Sequence, residues 1–542
     1  MHTHDSDEHP RAADVNAPRE DTEEKETRET GFLAEAARAI PVEPDEESAE
    51  DGPAPASDPE DARSGFPVVG LGASAGGFEA LELFFKNVPR GVGAAYVVVQ
   101  HLAPDYKSLM VELLSKHSAI PVVQAEDGME VEPDTVYLIP PRKLMTIFNG
   151  RLSLFEKNPD RYPNYPIDIF FNSLAESVGQ NAVAIVLSGT GSDGTRGVRA
   201  VKEHGGIVMV QDIQSAKFDG MPGNALATGL ADYVLRPESM PQELAKYVTH
   251  PSSLPSGGAA PALRVEGGRV DKVYQILLAR HGVDFTLYKQ NTLMRRIERR
   301  LGVTQIAKLE DYIEYFQQNF AEQDQLFKEF LICVTRFFRD PEAYEIIRDR
   351  VIPEIFRMKG PDDAIRVWVA GCATGEEAYS LAMLFMEYKS THDRRNEVKI
   401  FATDVDTDSL EVASAGHYPE SIAADLSREQ MQRYFIRKGD RCQVVNQLRE
   451  MVIFAQHNVF RDPPFNKMDL VTCRNLLIYL QMPLQKRVFH HFNFCLSPNG
   501  FLFLGASETI GAYTNLFSTY ESRWKIYRSR GKQAPLPTEG FA

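Results

Sequence analysis

Three residues whose side chains can act together in ester hydrolysis follow apolar segments in the first half of the sequence. Ser74 lies in the pentapeptide GASAG (72–76), a glycine-rich turn that would present its hydroxyl beside the first N–H groups of a helix. Alone this is a weak indication, since such turns are more often structural. His101 follows the run AAYVVVQ, and Asp193 follows AVAIVL within SGTGSDG. Together they predict a nucleophile, its general base and the carboxylate that orients the base.

A second glycine-rich turn lies in RVWVAGCATGEE (366–377), after another apolar run. It lacks the GxGxxG pattern of dinucleotide-binding proteins, and two carboxylates, those of Glu376 and Glu377, follow at once. They would repel a pyrophosphate but suit a cationic ligand such as S-adenosylmethionine. Asp404, after VKIFAT, is placed to accept hydrogen bonds from ribose hydroxyls. The alternative is a helix N-terminus whose dipole favours acidic residues.

Both groups of residues require parallel strands, because ligand and catalytic groups collect at the carboxyl ends of such strands. Strands alternate with helices in both halves, and runs such as VAIVL are apolar enough to be buried on both faces of a sheet. The sequence therefore predicts an α/β fold with two doubly wound sheets. Helices are predicted at 78–87 and 194–204, and an all-helical region at about 266–358 precedes the second sheet.

The net charge of -17 over 542 residues is spread unevenly. Residues 1–65 hold 20 acidic and 6 basic side chains, so the remainder is close to neutral. This argues against one large basic surface for nucleic acid. The acidic segment is also too poor in apolar residues to fold alone, and we expect a disordered tail. It is shorter than a receiver domain, so we do not expect phosphorylation control within the chain.

The five cysteines are odd in number and widely spaced: Cys333, Cys372, Cys442, Cys473 and Cys495. They form no CxxC pair and no metal-binding pattern with histidine, so free thiols in a reducing compartment are expected and no metal is predicted. The sequence has no signal peptide and no apolar run of about 18 residues that could span a membrane. These features predict a cytoplasmic protein.

The motifs of the first half resemble the chemotaxis protein-glutamate methylesterase family (CheB). The matching words are GLGASAGG, VVVQHLAPDYKSLM, YLIPP, LSGTGSDGTRG and VQDIQSAKFDGMP, within residues 66–250. The resemblance implies that Ser74 is the nucleophile, His101 the general base and Asp193 its orienting carboxylate. It also implies that Met221 lies near the site and that the reaction releases methanol from a glutamyl methyl ester. Glutamine deamidation, which some members perform, stays open.

The second half resembles the chemotaxis receptor glutamate methyltransferase family (CheR) over about 264–529. The words are VTRFFRDP, RVWVAGCATGEEAYSLAM, FATDVD, CRNLLIY and LFLGASE. The resemblance implies S-adenosylmethionine as methyl donor, with Arg339 and Tyr479 lining the transfer site. One departure is Cys333, where the family often has Asn. The residues implied to contact the donor are Thr335, Arg339, Glu377, Asp404, Asn458, Val459, Arg474 and Asn475.

A basic segment, KQNTLMRRIERR (289–300), precedes the donor motifs. A solvated helix face is the ordinary interpretation of such a run, and no aromatic pattern supports binding of nucleic acid. In the resembled family the corresponding helix meets the acidic methylation helices of chemoreceptors. Four arginines are therefore expected to dock the substrate: Arg295, Arg296, Arg299 and Arg300.

These expectations divide the chain into six segments. They are an acidic tail (1–65), an esterase domain (66–250), a linker (251–263), a helical part (264–358), a methyltransferase domain (359–531) with a small β-subdomain at about 430–455, and a flexible end (532–542).

The resulting hypothesis is a bifunctional enzyme that methylates receptor glutamates and hydrolyses the esters. Its partners would be the cytoplasmic helices of chemoreceptors, with a signalling kinase or a PAS-type protein as a further partner and no nucleic acid. Two alternatives stay open. One is a scaffold whose domains bind without turnover, and the other is a methyltransferase that acts on a substrate other than a receptor.

Overall fold

The computed structural model describes residues 65–101, 109–157, 164–250, 270–331, 334–439 and 441–531. All of them lie in one compact unit, Asp61–Ala542. The predicted acidic tail lies outside the described residues except at its last position. The predicted linker, the predicted flexible C-terminus and Cys333 lie wholly outside them.

The first half is built on nine strands. They are β1 (Val68–Ala73), β2 (Ala95–Gln100), β3 (Val122–Gln124), β4 (Val136–Leu138), β5 (Lys143–Phe148), β6 (Arg151–Glu156), β7 (Ala182–Val186), β8 (Ile207–Gln211) and β9 (Tyr233–Leu235). Seven form a parallel sheet of order β3-β4-β2-β1-β7-β8-β9, and β5 and β6 form an antiparallel hairpin. Apolar cores fill both faces of the sheet, which explains its continuous apolar strands.

Six helices accompany this sheet. They are α1 (Gly77–Lys86), α2 (Met110–Ser115), α3 (Pro166–Val178), α4 (Thr195–Glu203), α5 (Gly220–Leu226) and α6 (Met240–Val248). The predicted helices at 78–87 and 194–204 are α1 and α4. Each begins after a glycine in the left-handed conformation, with φ of 67° at Gly76 and 93° at Gly194. Glycine adopts this conformation without strain, so the glycine-rich turns fix where both helices start.

The predicted helical region is present. It contains α7 (Asp271–His281), α8 (Gln290–Thr304), α9 (Leu309–Gln318), α10 (Phe320–Leu331), α11 (Pro341–Ile346), a π-helical turn (Ile347–Val351) and α12 (Ile352–Arg357). Residues of α7 to α10 share one apolar core with the second sheet, around the buried Trp368. This shared core holds the helical part against the second sheet. The helical part is expected to help bind the ligand at that sheet.

The second half contains ten strands in two sheets. Three strands form a small antiparallel sheet: β12 (His417–Pro419), β13 (Phe435–Lys438) and β14 (Arg441–Val444). The other seven form the second large sheet: β10 (Ile365–Ala370), β11 (Val398–Asp404), β15 (Val452–Gln456), β16 (Met468–Cys473), β17 (Leu496–Leu504), β18 (Phe517–Glu521) and β19 (Ile526–Ser529). In the order β15-β11-β10-β16-β17-β19-β18, the first five strands are parallel and the last two pair antiparallel. The α/β class with two doubly wound sheets is confirmed.

Five helices complete the second half: α13 (Glu376–Thr391), α14 (Thr407–Ala415), α15 (Arg428–Tyr434), α16 (Asn446–Arg449) and α17 (Met482–Cys495). The small antiparallel sheet includes residues 417–419, which lie before the predicted β-subdomain. Within the described ranges, no helix is both long and apolar enough to cross a bilayer.

Candidate active sites

The carboxyl ends of β1, β2 and β7 bring Ser74, His101 and Asp193 together. Ser74 Oγ lies 3.0 Å from His101 Nδ1, and His101 Nε2 lies 2.7 Å from Asp193 Oδ2. With Asp193 ionised, Nε2 carries the ring proton and donates to the carboxylate, which leaves Nδ1 to accept the proton of Ser74. The chain of contacts has the geometry of a serine nucleophile with an oriented base.

Asp193 is held by three backbone donors. Its Oδ1 accepts from the N–H groups of Asp168 (2.8 Å) and Gly194 (2.9 Å), and its Oδ2 accepts from that of Ile167 (3.1 Å). Two of these donors lie in the first turn of α3, where the helix dipole also favours a negative charge. The side chain of Asp193 is 3% exposed while that of His101 is 33% exposed. The carboxylate of Asp193 is therefore held in place away from solvent, and the His101 imidazole is accessible to solvent.

Ser74 lies at the entry to α1, where its N–H donates to Ser188 O (3.0 Å). Met221 packs beside it. A Cβ built on Gly189 would lie 2.2 Å from Met221 Sδ and 2.8 Å from Ser74 Cβ, so any side chain at this position would displace one of them. Met221 is thus next to Ser74.

Sequence reasoning missed a second buried carboxylate, that of Asp168 on α3. Its side chain accepts a hydrogen bond from Gly197 N (2.8 Å) and has no exposed surface. Burial, and next the charge of Asp193, raise the pKa of Asp168 to about 7, against the opposing effect of Arg196. No signal in the sequence distinguishes this aspartate from a surface residue, because its burial depends on α3 packing against α4.

Replacing Asp168 by asparagine is expected to stabilise the protein more at high pH than at low pH. An acid whose pKa is raised by folding contributes stability below its unfolded pKa, and this contribution is lost as pH rises through the folded pKa. The stability of Asp168→Asn relative to the wild type should therefore grow by about 2 kcal/mol between pH 5 and pH 8. Urea unfolding at several pH values measures this. Glu176→Gln, an exposed change on the same helix, should show no such trend, and a flat difference for Asp168→Asn would contradict the prediction.

The second site is an open cleft at the carboxyl ends of the second sheet. Eight of the predicted residues line it: Thr335, Arg339, Glu377, Asp404, Val459, Arg474, Asn475 and Tyr479. Thr335 and Arg339 precede α11, Glu377 lies in the first turn of α13, and the others lie at or after the ends of β11, β15 and β16. The cleft is also lined by Tyr288, Phe330, His457 and Phe460, which no motif had indicated, and by Cys372 of the glycine-rich turn.

Two carboxylates of the second half line the cleft. Asp404 accepts backbone hydrogen bonds from Ala373 (2.8 Å), Val405 (2.8 Å) and Asp406 (3.1 Å). Burial raises the pKa of Asp404, although these bonds oppose the effect. Glu377 accepts from Thr472 Oγ1 (2.5 Å) and faces Arg474 Nη1 (3.5 Å). Hydrogen bonds thus hold both carboxylates in place.

Arg474 and Asn475 follow β16 directly. Arg474 donates to Asp340 Oδ2 (2.6 Å) and to the backbone oxygen of Arg339 (2.8 Å), which fixes the loop before α11 against the sheet. Asn475 has a positive φ of 58° and donates its N–H to Glu508 Oε2 (3.0 Å). Its buried Oδ1 finds no hydrogen-bond partner within the described residues. A buried acceptor of this kind at a cleft is suited to a ligand donor.

Two residues implied by the motifs do not face the cleft. Asn458 Oδ1 accepts from Phe460 N (3.0 Å), and Asn458 is not among the cleft residues, so it shapes the loop. Glu376 accepts from Thr374 Oγ1 (2.6 Å) and forms an ion pair with Arg199 of the first half (3.1 Å). The expectation that both Glu376 and Glu377 contact the ligand is therefore corrected. Only Glu377 faces the cleft.

The structure also contradicts substrate docking by three of the four arginines of α8. Arg296, Arg299 and Arg300 are each less than a tenth exposed. Arg299 pairs with Asp232, and Arg300 donates to Glu322 (2.6 Å). Only Arg295 of the four is exposed. The basic run is thus largely an internal surface, and the sequence could not show this because its partners lie far along the chain.

Three family models match segments of this chain. The family model of the CheB methylesterase matches residues 69–244. The model of the CheR methyltransferase all-alpha domain matches residues 270–331, and that of its SAM-binding domain matches residues 333–526. The chain belongs to the CheB methylesterase and CheR methyltransferase families.

Three curated relatives illustrate the extent of similarity. An uncharacterized 104.1 kDa protein of Rhodobacter capsulatus is 42% identical over 79% of this chain, which spans 47% of that relative's length. Chemotaxis protein methyltransferase 1 of Pseudomonas aeruginosa is 35% identical over 36% of this chain and 73% of its own length. The protein-glutamate methylesterase/protein-glutamine glutaminase of Thermotoga maritima is 34% identical over 33% of this chain and 53% of its own length.

The CheR cleft fits S-adenosylmethionine, the cofactor of this domain family. The carboxylates of Glu377 and Asp404 suit a cationic, hydroxyl-bearing ligand. The unpartnered Oδ1 of Asn475 offers a further acceptor. Within the described ranges, no group of three or more His, Cys, Asp or Glu side chains is arranged to hold a metal ion.

Proposed function

We propose that this chain is a bifunctional enzyme of chemotaxis-type signalling. Its CheR part would methylate glutamate side chains of chemoreceptors, and its CheB part would hydrolyse the resulting methyl esters. The observation that carries the proposal is the contact chain from Ser74 through His101 to Asp193, in the same chain as a cleft that fits the methyl donor. Chemotaxis methylation enzymes act on chemoreceptors, so an acidic receptor helix is the proposed substrate.

In ester hydrolysis, Ser74 Oγ would attack the ester carbonyl while His101 Nδ1 removes its proton. His101 would then return the proton to the departing methanol, and the glutamyl-serine ester would be hydrolysed by water. Asp193 stabilises the imidazolium through the 2.7 Å contact to Nε2. The backbone N–H groups at the start of α1 lie beside Ser74 and are the proposed donors to the oxyanion.

Methyl transfer needs little acid–base assistance, because a glutamate acceptor is already ionised near neutral pH. S-adenosylmethionine supplies an electrophilic methyl group when it is bound. The task of this chain is orientation: Glu377, Asp404 and Asn475 would hold the donor, while Arg339 and Tyr479 would hold the acceptor carboxylate in line. The roles of Thr335, Val459 and Arg474 in shaping the donor site are part of the same proposal.

Location and further partners are also proposed. Among the described cysteines, Cys442 and Cys473 are buried thiols outside any disulfide, which supports a reducing compartment and hence the cytoplasm. A signalling kinase or a PAS-type protein is the proposed further partner, by resemblance alone. A scaffold without turnover is less well supported, since both sites retain their chemical groups.

Asp404→Asn is expected to weaken binding of S-adenosylmethionine by at least about tenfold, the effect of losing one charge-assisted hydrogen bond. Calorimetric titration of the full chain measures the affinity. Asp408→Ala, an exposed change on α14, is the control and should bind normally. Release of methanol from a methylated receptor fragment should be unchanged in both variants, which also checks folding.

The proposed function itself is tested by transfer of labelled methyl from S-adenosylmethionine to a receptor fragment. The product should be a base-labile ester, and the same chain should release methanol from it. Donor binding without transfer or methanol release would favour the scaffold. A base-stable methyl product on nucleic acid or on a small molecule would exclude a receptor glutamate as the substrate.

A further inference from the structure

A carboxylate of the esterase part lies inside the methyltransferase cleft. Glu203 is the last residue of α4, yet it lines the cleft together with Arg339 and Tyr479. These two residues are the ones expected to face the acceptor glutamate. No motif indicated Glu203, because it lies 136 positions before Arg339 in the sequence.

The contact is direct. Arg339 Nη2 donates to Glu203 Oε1 at 2.8 Å, and both side chains are about three-quarters buried, with 23% and 25% of their surface exposed. Arg339 Nη1 donates to the backbone oxygen of Val334 (3.0 Å), which fixes the guanidinium. Burial, and next the charge of Glu203, raise the pKa of Tyr479. The carboxylate of Glu203 is therefore close enough to influence both residues.

The backbone at this end of α4 is also held by the methyltransferase part. Arg296 of α8 donates to the backbone oxygens of Lys202 (3.1 Å) and Glu203 (3.2 Å). One turn earlier, Arg199 pairs with the buried Glu376 (3.1 Å). The position of Glu203 thus results from docking of α4 on the second half. These hydrogen bonds and this ion pair hold the backbone that carries the Glu203 side chain.

We propose that Glu203 occupies the position of the acceptor glutamate and blocks methyl transfer while the esterase part is docked. This inference rests on the proposed function. Glu203 carries the same functional group as the substrate and takes one of the amino groups of the Arg339 guanidinium. Two carboxylates at this position would repel each other, so a receptor glutamate must displace Glu203 before transfer.

The consequence is a coupling between the two activities. The docked arrangement leaves Ser74 and His101 free to act on an ester, because Glu203 lies at the opposite end of α4 from Asp193. The same arrangement closes the acceptor position of the methyltransferase. Receptor binding and docking of the esterase part are then mutually exclusive at Arg339, and the free-energy difference between them sets the apparent affinity for substrate.

The test compares the full-length wild type with Glu203→Gln, Glu203→Ala and the control Glu176→Gln. Transfer to a receptor-derived helical fragment is measured over a range of fragment concentrations, and donor affinity and methanol release are measured separately. Both Glu203 variants should lower the KM for the fragment by at least about fivefold. Methanol release should stay within about twofold of the wild type, because Glu203 lies in the cleft of the second sheet and not beside Ser74. The exposed Glu176 lies on α3 away from the cleft, so its variant should match the wild type.

Other outcomes would overturn the inference. An unchanged KM in both Glu203 variants would show that the carboxylate does not compete with substrate. A change in donor affinity alone would show that Glu203 opposes the donor. Absence of transfer by the wild type and all variants is a different failure, since it removes the proposed function and the inference with it. Normal methanol release in each variant excludes misfolding of the esterase part as the cause.

Discussion

Replacing Ser74 by alanine should abolish methanol release from a glutamyl methyl ester, with a loss of at least about 10⁴-fold. Ser74 Oγ is the only nucleophile in contact with His101 among the described residues, and alanine removes the bond-forming atom and leaves the oriented base in place. Any remaining rate would come from the backbone donors near α1. Methyl transfer and donor binding should be unaffected, because the cleft lies on the second sheet.

The measurement is a comparison of methanol release with labelled methyl transfer on the same preparations. Ser153→Ala, a serine on β6 of the same half, is the matched control and should keep both activities. A residual esterase rate near that of the wild type would show that Ser74 is not the nucleophile. Loss of both activities in Ser74→Ala would point instead to damage to the fold.

The fold could be predicted to a large extent because its information is local. Glycine-rich turns marked the helix starts at Gly76 and Gly194, and apolar runs predicted the central strands of both sheets, since a buried parallel strand requires such a run. The same local rule placed Ser74, His101 and Asp404 at strand ends. The small strand β12 and the antiparallel edge strands carry no such pattern, and their pairing depends on distant partners.

The parts of the sites that could not be predicted depend on how the two halves meet. Glu376 and Glu377 are neighbours of the same type, but one faces Arg199 and the other faces the cleft. The arginines of α8 carry the pattern of an exposed basic face, yet all of them except Arg295 are buried by α4 and α10. The residue pattern of one half of the chain does not show which surface of the other half it will contact. These contacts are therefore visible only in the structure.

Asp232 lies among buried charges where the two halves of the chain meet. Its side chain has no exposed surface and pairs with Arg299 and Lys202, the latter at 2.6 Å. Burial raises the pKa of Asp232, but the two cations outweigh it and hold the pKa well below its usual value. Burial, and next the charge of Arg299, lower the pKa of Lys202 to about 8. The negative charge of Asp232 thus compensates the two buried positive charges of Arg299 and Lys202.

Asp232→Ala should destabilise the protein by about 3–5 kcal/mol, because it leaves Arg299 and Lys202 buried with Glu329 as the shared anion that both approach. The midpoint of urea unfolding measures this loss. Glu79→Ala removes the partner of Lys217 in an ion pair whose side chains are 57% and 63% exposed, and it should cost less than about 1 kcal/mol. Equal midpoints for Asp232→Ala and Glu79→Ala would show that the buried network does not stabilise the junction. Suppose that only Asp232→Ala loses much stability, and that it also has a lower KM for the receptor fragment at temperatures where it stays folded. These two results together would link the buried network to the docking that places Glu203 beside Arg339.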